Sequence, residues 1–230
     1  MIGLANGMAG RRAFIAGSMA SGAVLLSGCA STGGYSLTEA IRRLLFLSSE
    51  RAFARLVAPG GFWDQQVARM DFGAILGSRG DVLSSILTST LVRDRLADSF
   101  AGVAVRGAER AAPLVADAVR IVGIDAAEAL VRGGPTAATM FLRDEMGGTL
   151  VEAMVPELGQ AIRVARDPVI GDAIARLSGV DVPAVASRFS RSVNDVIWNE
   201  IGIEEAAIRR DPRSTRDPIL IGVFALASRI

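Results

Sequence analysis

The chain of 230 residues contains no histidine, no lysine and a single cysteine. Without histidine, a Ser-His-Asp triad, a histidine-ligated metal and a histidine proton shuttle are all excluded. Because all 25 basic residues are arginine, Schiff-base catalysis by lysine and the lysine of a phosphate-binding loop are excluded too. One cysteine permits neither an intrachain disulfide nor a cysteine-based zinc or redox site. The sequence therefore predicts a protein that has no metal or cofactor and is not an enzyme.

The composition is poor in aromatic residues and rich in aliphatic ones. Aromatic residues make up 5% of the chain and charged residues 21%, whereas hydrophobic residues make up 50%. This apolar fraction is too high for a disordered chain and sufficient for a core, and the length suits one domain. Charged residues interrupt the apolar ones too often for a protein with several membrane spans.

The first 28 residues have the pattern of a secretion signal peptide. A charged region ends at Arg11-Arg12 and is followed by an apolar stretch from Ala13 to Leu26. Small and polar residues interrupt this stretch, and it is shorter than the roughly 20 residues that a membrane-spanning helix needs. We expect residues 1–28 to be removed and to take no part in the fold.

The signal peptide ends in Leu26-Ser27-Gly28-Cys29, which resembles the lipobox of bacterial lipoproteins. In such signals the cysteine receives a diacylglyceryl group and becomes the first residue of the mature protein. The alternative is a chance cysteine in an ordinary signal peptide. Cys29 is the only cysteine of the chain and lies at the expected distance from the arginines. We therefore expect lipid attachment at Cys29, with residues 29–35 as a short flexible tether.

The charged region also resembles the twin-arginine export motif, through Arg11, Arg12 and Phe14. Glycine replaces the usual serine or threonine at its start, so two ordinary arginines before a general secretory signal are the alternative. The low hydrophobicity of the following stretch favours the twin-arginine route. That route implies that the domain folds before export.

The mature chain is nearly neutral. Removal of residues 1–28 leaves 23 arginines against 24 acidic residues, a net charge of −1. A nucleic-acid partner is not expected, because it needs a basic face. Ala30, directly after Cys29, resembles the sorting pattern of lipoproteins at the periplasmic face of the outer membrane. The expected partners are therefore the membrane, through the anchor, and an envelope protein or a small apolar ligand.

The mature domain is predicted to begin with a capped helix. In Ser36-Leu37-Thr38-Glu39, the serine side chain can accept from the third helical N–H while Glu39 reaches back. Apolar residues then recur at helical spacing to about Val57, and Phe46 widens their face. Glu39 is expected to pair with Arg42 and Arg43 on the solvated side of this helix.

The rest of the mature chain is predicted to form further helices. Strand-like alternation is absent over any useful length, so residues 36–230 are predicted to form a single all-α domain, an irregular bundle of seven to nine helices. The stretch from Gly61 to Met70 is the least regular part, and residues 67–70 are expected to be extended. The predicted helices are Val82–Leu91, Asp94–Arg106, one that begins at Pro113, Ile124–Arg132, one that begins at Pro135, Leu150–Ala165, one between Asp167 and Gly179, Pro183–Arg210 and Ile219–Ala227.

Four segments together resemble a bacterial family known as domain of unknown function 4197. They are Gly61-Phe62 with residues 67–70, the run 108–113, the block of residues 125–143, and the ending formed by residues 201–212 with Val223-Phe224. The resemblance covers residues 36–227 and implies a helical, periplasmic or lipid-anchored protein. The family has no established activity, so the resemblance implies no catalytic residues.

Two pairs of charged residues are candidate sites. Asp125 and Glu128 can share one face as an acid–base or cation pair, but a helix N-cap with a capping-box partner is the simpler interpretation. Glu204-Glu205 with Arg209-Arg210 can form a recognition patch. The spacing of Glu205 and Arg209 more simply predicts an ion pair on a solvated helix face.

Glycines and aromatic residues supply the remaining candidates. Gly133-Gly134 precedes a helix whose N-terminus can hold an anion, although a plain helix break is favoured. Phe62, Trp63 and Trp198 can line a binding surface or belong to the core, and the core is favoured. The predicted function is a lipid-anchored, non-enzymatic binding or adaptor module of the cell envelope. The alternatives are a carrier of a small apolar ligand in an interhelical pocket and a carboxylate-dependent enzyme.

Overall fold

The computed structural model describes residues 36–58, 62–76, 90–164 and 181–227 of the chain. These residues form nine α-helices and one 3₁₀ turn, and no strand occurs among them, so the predicted all-α bundle is confirmed. The helices are α1 (Leu37–Leu56), α2 (Phe62–Ala68), α3 (Phe72–Leu76), α4 (Thr90–Ile121), α5 (Ala127–Arg132), α6 (Ala137–Met146), α7 (Thr149–Val164), α8 (Val182–Arg210) and α9 (Pro218–Ala227), with the 3₁₀ turn Pro212–Thr215 before α9.

Helix α1 begins at the predicted cap. The hydroxyl of Ser36 accepts a hydrogen bond from the Glu39 N–H at 3.0 Å, which satisfies one of the free N–H groups of the first turn. Glu39 pairs with Arg43 as expected, at 2.8 Å. Arg42 does not join this pair, because its side chain turns toward the end of α4.

Helix α4 differs from the prediction. Separate helices were expected over Asp94–Arg106 and from Pro113, but one helix of 32 residues runs through both, with Pro113 inside it. Proline lacks the N–H that would bond to the carbonyl of Glu109, a cost that normally ends a helix. Here Pro113 and Glu109 both lie on the exposed side, where water can satisfy that carbonyl. The opposite side stays buried from one segment to the next through Ala104, Ala108, Ala111, Val115 and Val119.

The stretch after α1 is also more regular than predicted. Residues 67–70 were expected to be extended, but α2 includes Val67, which is fully buried, and the chain turns at Arg69 and Met70. The buried Val67 side chain fixes this turn of helix against the core. The predicted helix between Asp167 and Gly179 and most of the one over Val82–Leu91 lie outside the described residues.

The core lies between the long helices α1, α4, α7 and α8. The apolar side of α8 is buried at Val185, Phe189, Val193, Ile197, Ile201 and Ile208, and Val196 beside them is half-buried. At Gly107 of α4, an added Cβ would lie 3.4 Å from side chains of α7 and α8, so the three helices meet closely there. The rings of Phe100 and Phe189 pack edge to face at 4.7 Å between α4 and α8.

The described residues all fall within one compact unit, Tyr35–Ile230. The predicted signal peptide, export motif, lipobox and Cys29 lie outside the described residues. Among the helices that are described, none combines the length and the hydropathy needed to cross a membrane.

Candidate functional site

Glu205 and Arg209 of α8 form the predicted ion pair, but both are buried, so the prediction of a solvated helix face is wrong. The Glu205 side chain is fully buried and that of Arg209 is 10% exposed, with 2.7 Å between their charged groups. The carboxylate of Glu205 also accepts the backbone N–H groups of Ala138 at 3.0 Å and Thr139 at 2.7 Å. These N–H groups belong to the first turn of α6, so Glu205 caps that helix from another element.

Arg209 extends this arrangement to two further helices. Its Nη1 and Nη2 atoms donate to the carbonyl groups of Val131 at 3.1 Å and Leu130 at 2.9 Å, near the end of α5. The guanidinium carbon lies 4.9 Å from the centre of the Phe224 ring of α9. We call this set of contacts the Glu205 junction, because it joins α5, α6 and α9 to α8.

The Gly133-Gly134 segment forms the predicted helix break between α5 and α6. A Cβ on Gly133 would lie 2.6 Å from the Cβ of Ala137, so a side chain there would clash. Gly202 of α8 likewise allows close approach, since an added Cβ would lie 3.1 Å from Thr136 Cγ2. The N-terminus of α6 does hold an anion, but that anion is the protein's own Glu205 carboxylate.

The other members of the predicted recognition patch point elsewhere. Glu204 pairs with Arg55 of α1, and Arg55 also donates to the nearly buried Glu200 at 3.0 Å. Arg210 is exposed at the end of α8. The four charged residues therefore do not form one patch, because helical geometry directs them to different neighbours.

The predicted cap at Asp125 is wrong. Ala126 occupies the N-cap position of α5 without a side-chain hydrogen bond, and Asp125 lies exposed before it. Glu128 pairs with Arg132 at 2.9 Å on the outer face of α5. Across the described part of the chain, no group of three or more potential ligands could hold a metal ion.

Phe62, Trp63 and Trp198 lie in the core, the interpretation that the sequence favoured, and do not form a binding surface. Both tryptophans are 3% exposed, and each indole N–H has an internal partner. Trp63 donates to the Leu56 carbonyl at 2.8 Å and Trp198 to Asn194 at 3.0 Å. Phe62 is half-buried and packs edge to face on Trp63. Burying the large apolar rings stabilises the fold, and these residues therefore belong to the core.

An open cleft of about 420 Å³ lies where α1 begins, α4 ends and α9 begins. We call it the α1–α4–α9 cleft. Its walls combine charged and apolar side chains, namely Glu39, Arg42, Arg43, Phe46, Leu47, Val119, Arg120, Thr215, Asp217 and Leu220. The Phe46 ring, predicted to widen the apolar face of α1, is instead 45% exposed here.

Two arginines hold the walls of the α1–α4–α9 cleft together. Arg42 donates from Nε to the Val119 carbonyl at 3.3 Å and from Nη2 to the Val122 carbonyl at 3.4 Å, which caps the end of α4. Arg43 bridges Glu39 and Asp217, at 2.8 and 2.9 Å. Asp217 in turn accepts the first N–H groups of α9.

The pKa values of Arg43 and Asp217 are shifted by the hydrogen bonds that these two side chains make. The bond to Glu39, followed by the bond to Asp217, raises the pKa of Arg43. Burial alone would raise the pKa of Asp217, but hydrogen bonds from Arg43 and from the Leu220 and Ile219 N–H groups outweigh it and lower that pKa. Both carboxylates of the cleft are thus held in ion pairs, an arrangement that suits binding better than proton transfer.

Sequence reasoning did not find the α1–α4–α9 cleft. Its residues are separated by up to about 180 positions, and the only local signals were the exposed spacing of Arg42 and Arg43 and the capping residue Asp217. Neither the pairing of α1 with the end of α4 nor the exposure of Phe46 can be read from helical periodicity.

The comparisons with known proteins bear on the family alone. Neither a curated protein nor a solved structure matches this chain. The profile of one family, described as Protein of unknown function (DUF4197), matches residues 32–225, which includes both the Glu205 junction and the α1–α4–α9 cleft. The chain therefore belongs to the DUF4197 family.

Proposed function

We propose that this protein is a lipid-anchored binding module at the periplasmic face of the bacterial outer membrane and that it is not an enzyme. The α1–α4–α9 cleft is the observation that carries the binding role. It is open, and it places the exposed Phe46 ring between charged side chains. Anchoring and compartment rest on the sequence pattern from Arg11 to Cys29.

The fixed charges of the cleft support recognition. Arg43, Glu39 and Asp217 are held by one another and by helix ends, so a partner meets a preformed surface. An open, charged cleft also suits the surface of a partner better than an enclosed apolar ligand. Glu205, the most buried carboxylate of the ion pairs described, is occupied by two N–H groups and Arg209, so it is unsuited to acid–base work.

The anchor is tested by metabolic labelling with a clickable fatty acid in the native host. The wild-type protein should carry label and sediment with membranes, whereas Cys29→Ser should carry no label and be left soluble or uncleaved, because Cys29 is the only cysteine. Equal labelling of the two proteins would contradict the anchor.

The binding role of the cleft is tested by photo-crosslinking in intact cells. A photoreactive phenylalanine analogue replaces Phe46, and the matched control carries it at Met140, which is 61% exposed on α6. We expect a crosslinked product from position 46, either a phospholipid adduct or a complex with an envelope protein, and none from position 140. The same pattern from both positions, or no product from either, would contradict a binding site in the cleft.

A further inference from the structure

Three helix ends meet at one end of the domain. Helix α1 begins at Leu37, and the bonds of Arg42 place the end of α4 against its second turn. The Arg43–Asp217 pair places the start of α9 beside the same turn. The α1–α4–α9 cleft therefore lies at the end of the domain where the chain enters it.

The distance from this end to the expected anchor is short. Seven residues, 29–35, precede Ser36, and a chain of that length spans at most about 25 Å when fully extended. Helix α1 itself has 20 residues and is about 30 Å long. A domain anchored at Cys29 thus keeps the start of α1, and the cleft beside it, within about 25 Å of the anchor.

We call Phe46 and Arg120, which line the α1–α4–α9 cleft, together with Ile121, which follows Arg120 in the chain, the rim of the cleft, and these side chains suit a membrane interface. Ile121, the last residue of α4, is 83% exposed, and Phe46 is 45% exposed. Arg120 lies next to Ile121 and pairs with Asp117, with both side chains about two-thirds exposed. Water weakens such a pair, so a lipid phosphate can compete for this guanidinium. Apolar side chains beside arginine are typical of segments that lie in the interface.

Taken with the anchor of the proposed function, on which this step rests, the geometry points to the phospholipid surface as the partner of the α1–α4–α9 cleft. Ile121 and Phe46 enter the interface, and Arg120 contacts lipid phosphates. Glu39 and Asp217 do not oppose this contact strongly, because Arg43 neutralises part of their charge from within the cleft.

The test uses the mature lipoprotein reconstituted in vesicles of phosphatidylethanolamine and phosphatidylglycerol. Cys29 carries the lipid, so a cysteine introduced at Ile121 or Phe46 is the only free thiol and takes an environment-sensitive fluorophore. Met140→Cys is the matched control on α6. We expect the label at 121 and 46 to emit at shorter wavelength and to be quenched by lipids brominated near the headgroup. The label at 140 should emit at the longer wavelength that is typical of a label exposed to water.

Each other outcome overturns the assignment in a recognisable way. If the protein floats with the vesicles but labels at 121 and 140 both emit as in water, the anchor holds and the lipid contact is wrong. If the protein does not float, the anchor is wrong and this inference with it. If the label at 121 shifts only after envelope proteins are added, the partner of the rim is a protein.

Discussion

Arginine side chains join helices to one another in this chain, which contains no lysine. Within the residues that the structure describes, three of them donate to carbonyl groups near the ends of other helices, where carbonyls lack helical partners. The planar guanidinium can satisfy two acceptors at once, which an ammonium group does less well. The three contacts are Arg42 to Val119 and Val122, Arg188 to Ile75, and Arg209 to Leu130 and Val131.

The Glu205 junction should be the most sensitive of these contacts to mutation. Replacing Glu205 with alanine removes the acceptor of two buried N–H groups and leaves Arg209 without its carboxylate. Breaking a buried pair in this way costs about 3–5 kcal/mol. We expect a loss of that size in the free energy of unfolding, measured by urea denaturation of the mature protein.

The chain offers a matched control for this substitution. Glu128 and Arg132 have the same helical spacing as Glu205 and Arg209, but their side chains are 66% and 78% exposed. Glu128→Ala should therefore change the free energy of unfolding by less than about 1 kcal/mol. Similar losses in the two variants would show that burial does not set the strength of the junction.

At the scale of helices, the sequence predicted correctly those helix ends that are capped by a residue directly before the helix. Ser36 caps α1 as expected, and Asp217, directly before Pro218, caps α9 through the Ile219 and Leu220 N–H groups. Asp125 met the same criterion but does not cap α5. The start of α6 depends on Glu205, which lies 66 positions away in the chain from Thr139, so no local pattern contains it.

The helix break predicted at Pro113 and the solvated face predicted for Glu205 and Arg209 were wrong for the same physical reason. Proline normally ends a helix because it lacks one backbone hydrogen bond. In α4 the helix continues through Pro113, because ending it there would expose the alanine and valine side chains that are buried on its other side. The spacing of Glu205 and Arg209 predicts that they pair, which is correct, but it does not predict which side of α8 is covered. Tertiary packing decides both questions.

The attachment of α9 to α1 should depend on pH through Asp217. Its pKa lies below the ordinary value of 3.8, so its ion pair stabilises the protein fully at neutral pH and is lost as pH falls through the lowered pKa. Asp217→Asn keeps an acceptor for the N–H groups of α9 but removes the charge. Wild type should thus be more stable than the variant in urea at pH 7, and the difference should shrink below pH 3.8.

Arg43 provides the control for this pH dependence. In an Arg43→Gln background, the partner that most strongly lowers the pKa of Asp217 is absent. The same Asp217→Asn substitution should then produce a smaller difference, with weaker dependence on pH. An unchanged difference would mean that the helix N-terminus, and not Arg43, stabilises the carboxylate.

At the scale of the whole molecule, two of the four segments that carry the family resemblance come together. Gly133-Gly134 and residues 137–139 meet Glu205, Arg209 and Phe224 in the Glu205 junction. That junction is buried and structural, whereas the α1–α4–α9 cleft is open. The molecule thus separates the contacts that hold its fold from the surface that we propose for binding.

This separation predicts that loss of the anchor leaves the helical domain intact. The cap of α1 is supplied by Ser36, and the described helices pack on one another within the unit Tyr35–Ile230. Cys29→Ser should therefore keep the helical circular dichroism of the lipidated protein, and its free energy of unfolding in the same detergent should agree within about 0.5 kcal/mol. Ser36→Ala, which removes the cap, should cost about 0.5–2 kcal/mol in the same assay and shows that the assay can detect a small loss. A loss in Cys29→Ser as large as that in Ser36→Ala would mean that the anchor and tether help to stabilise the domain.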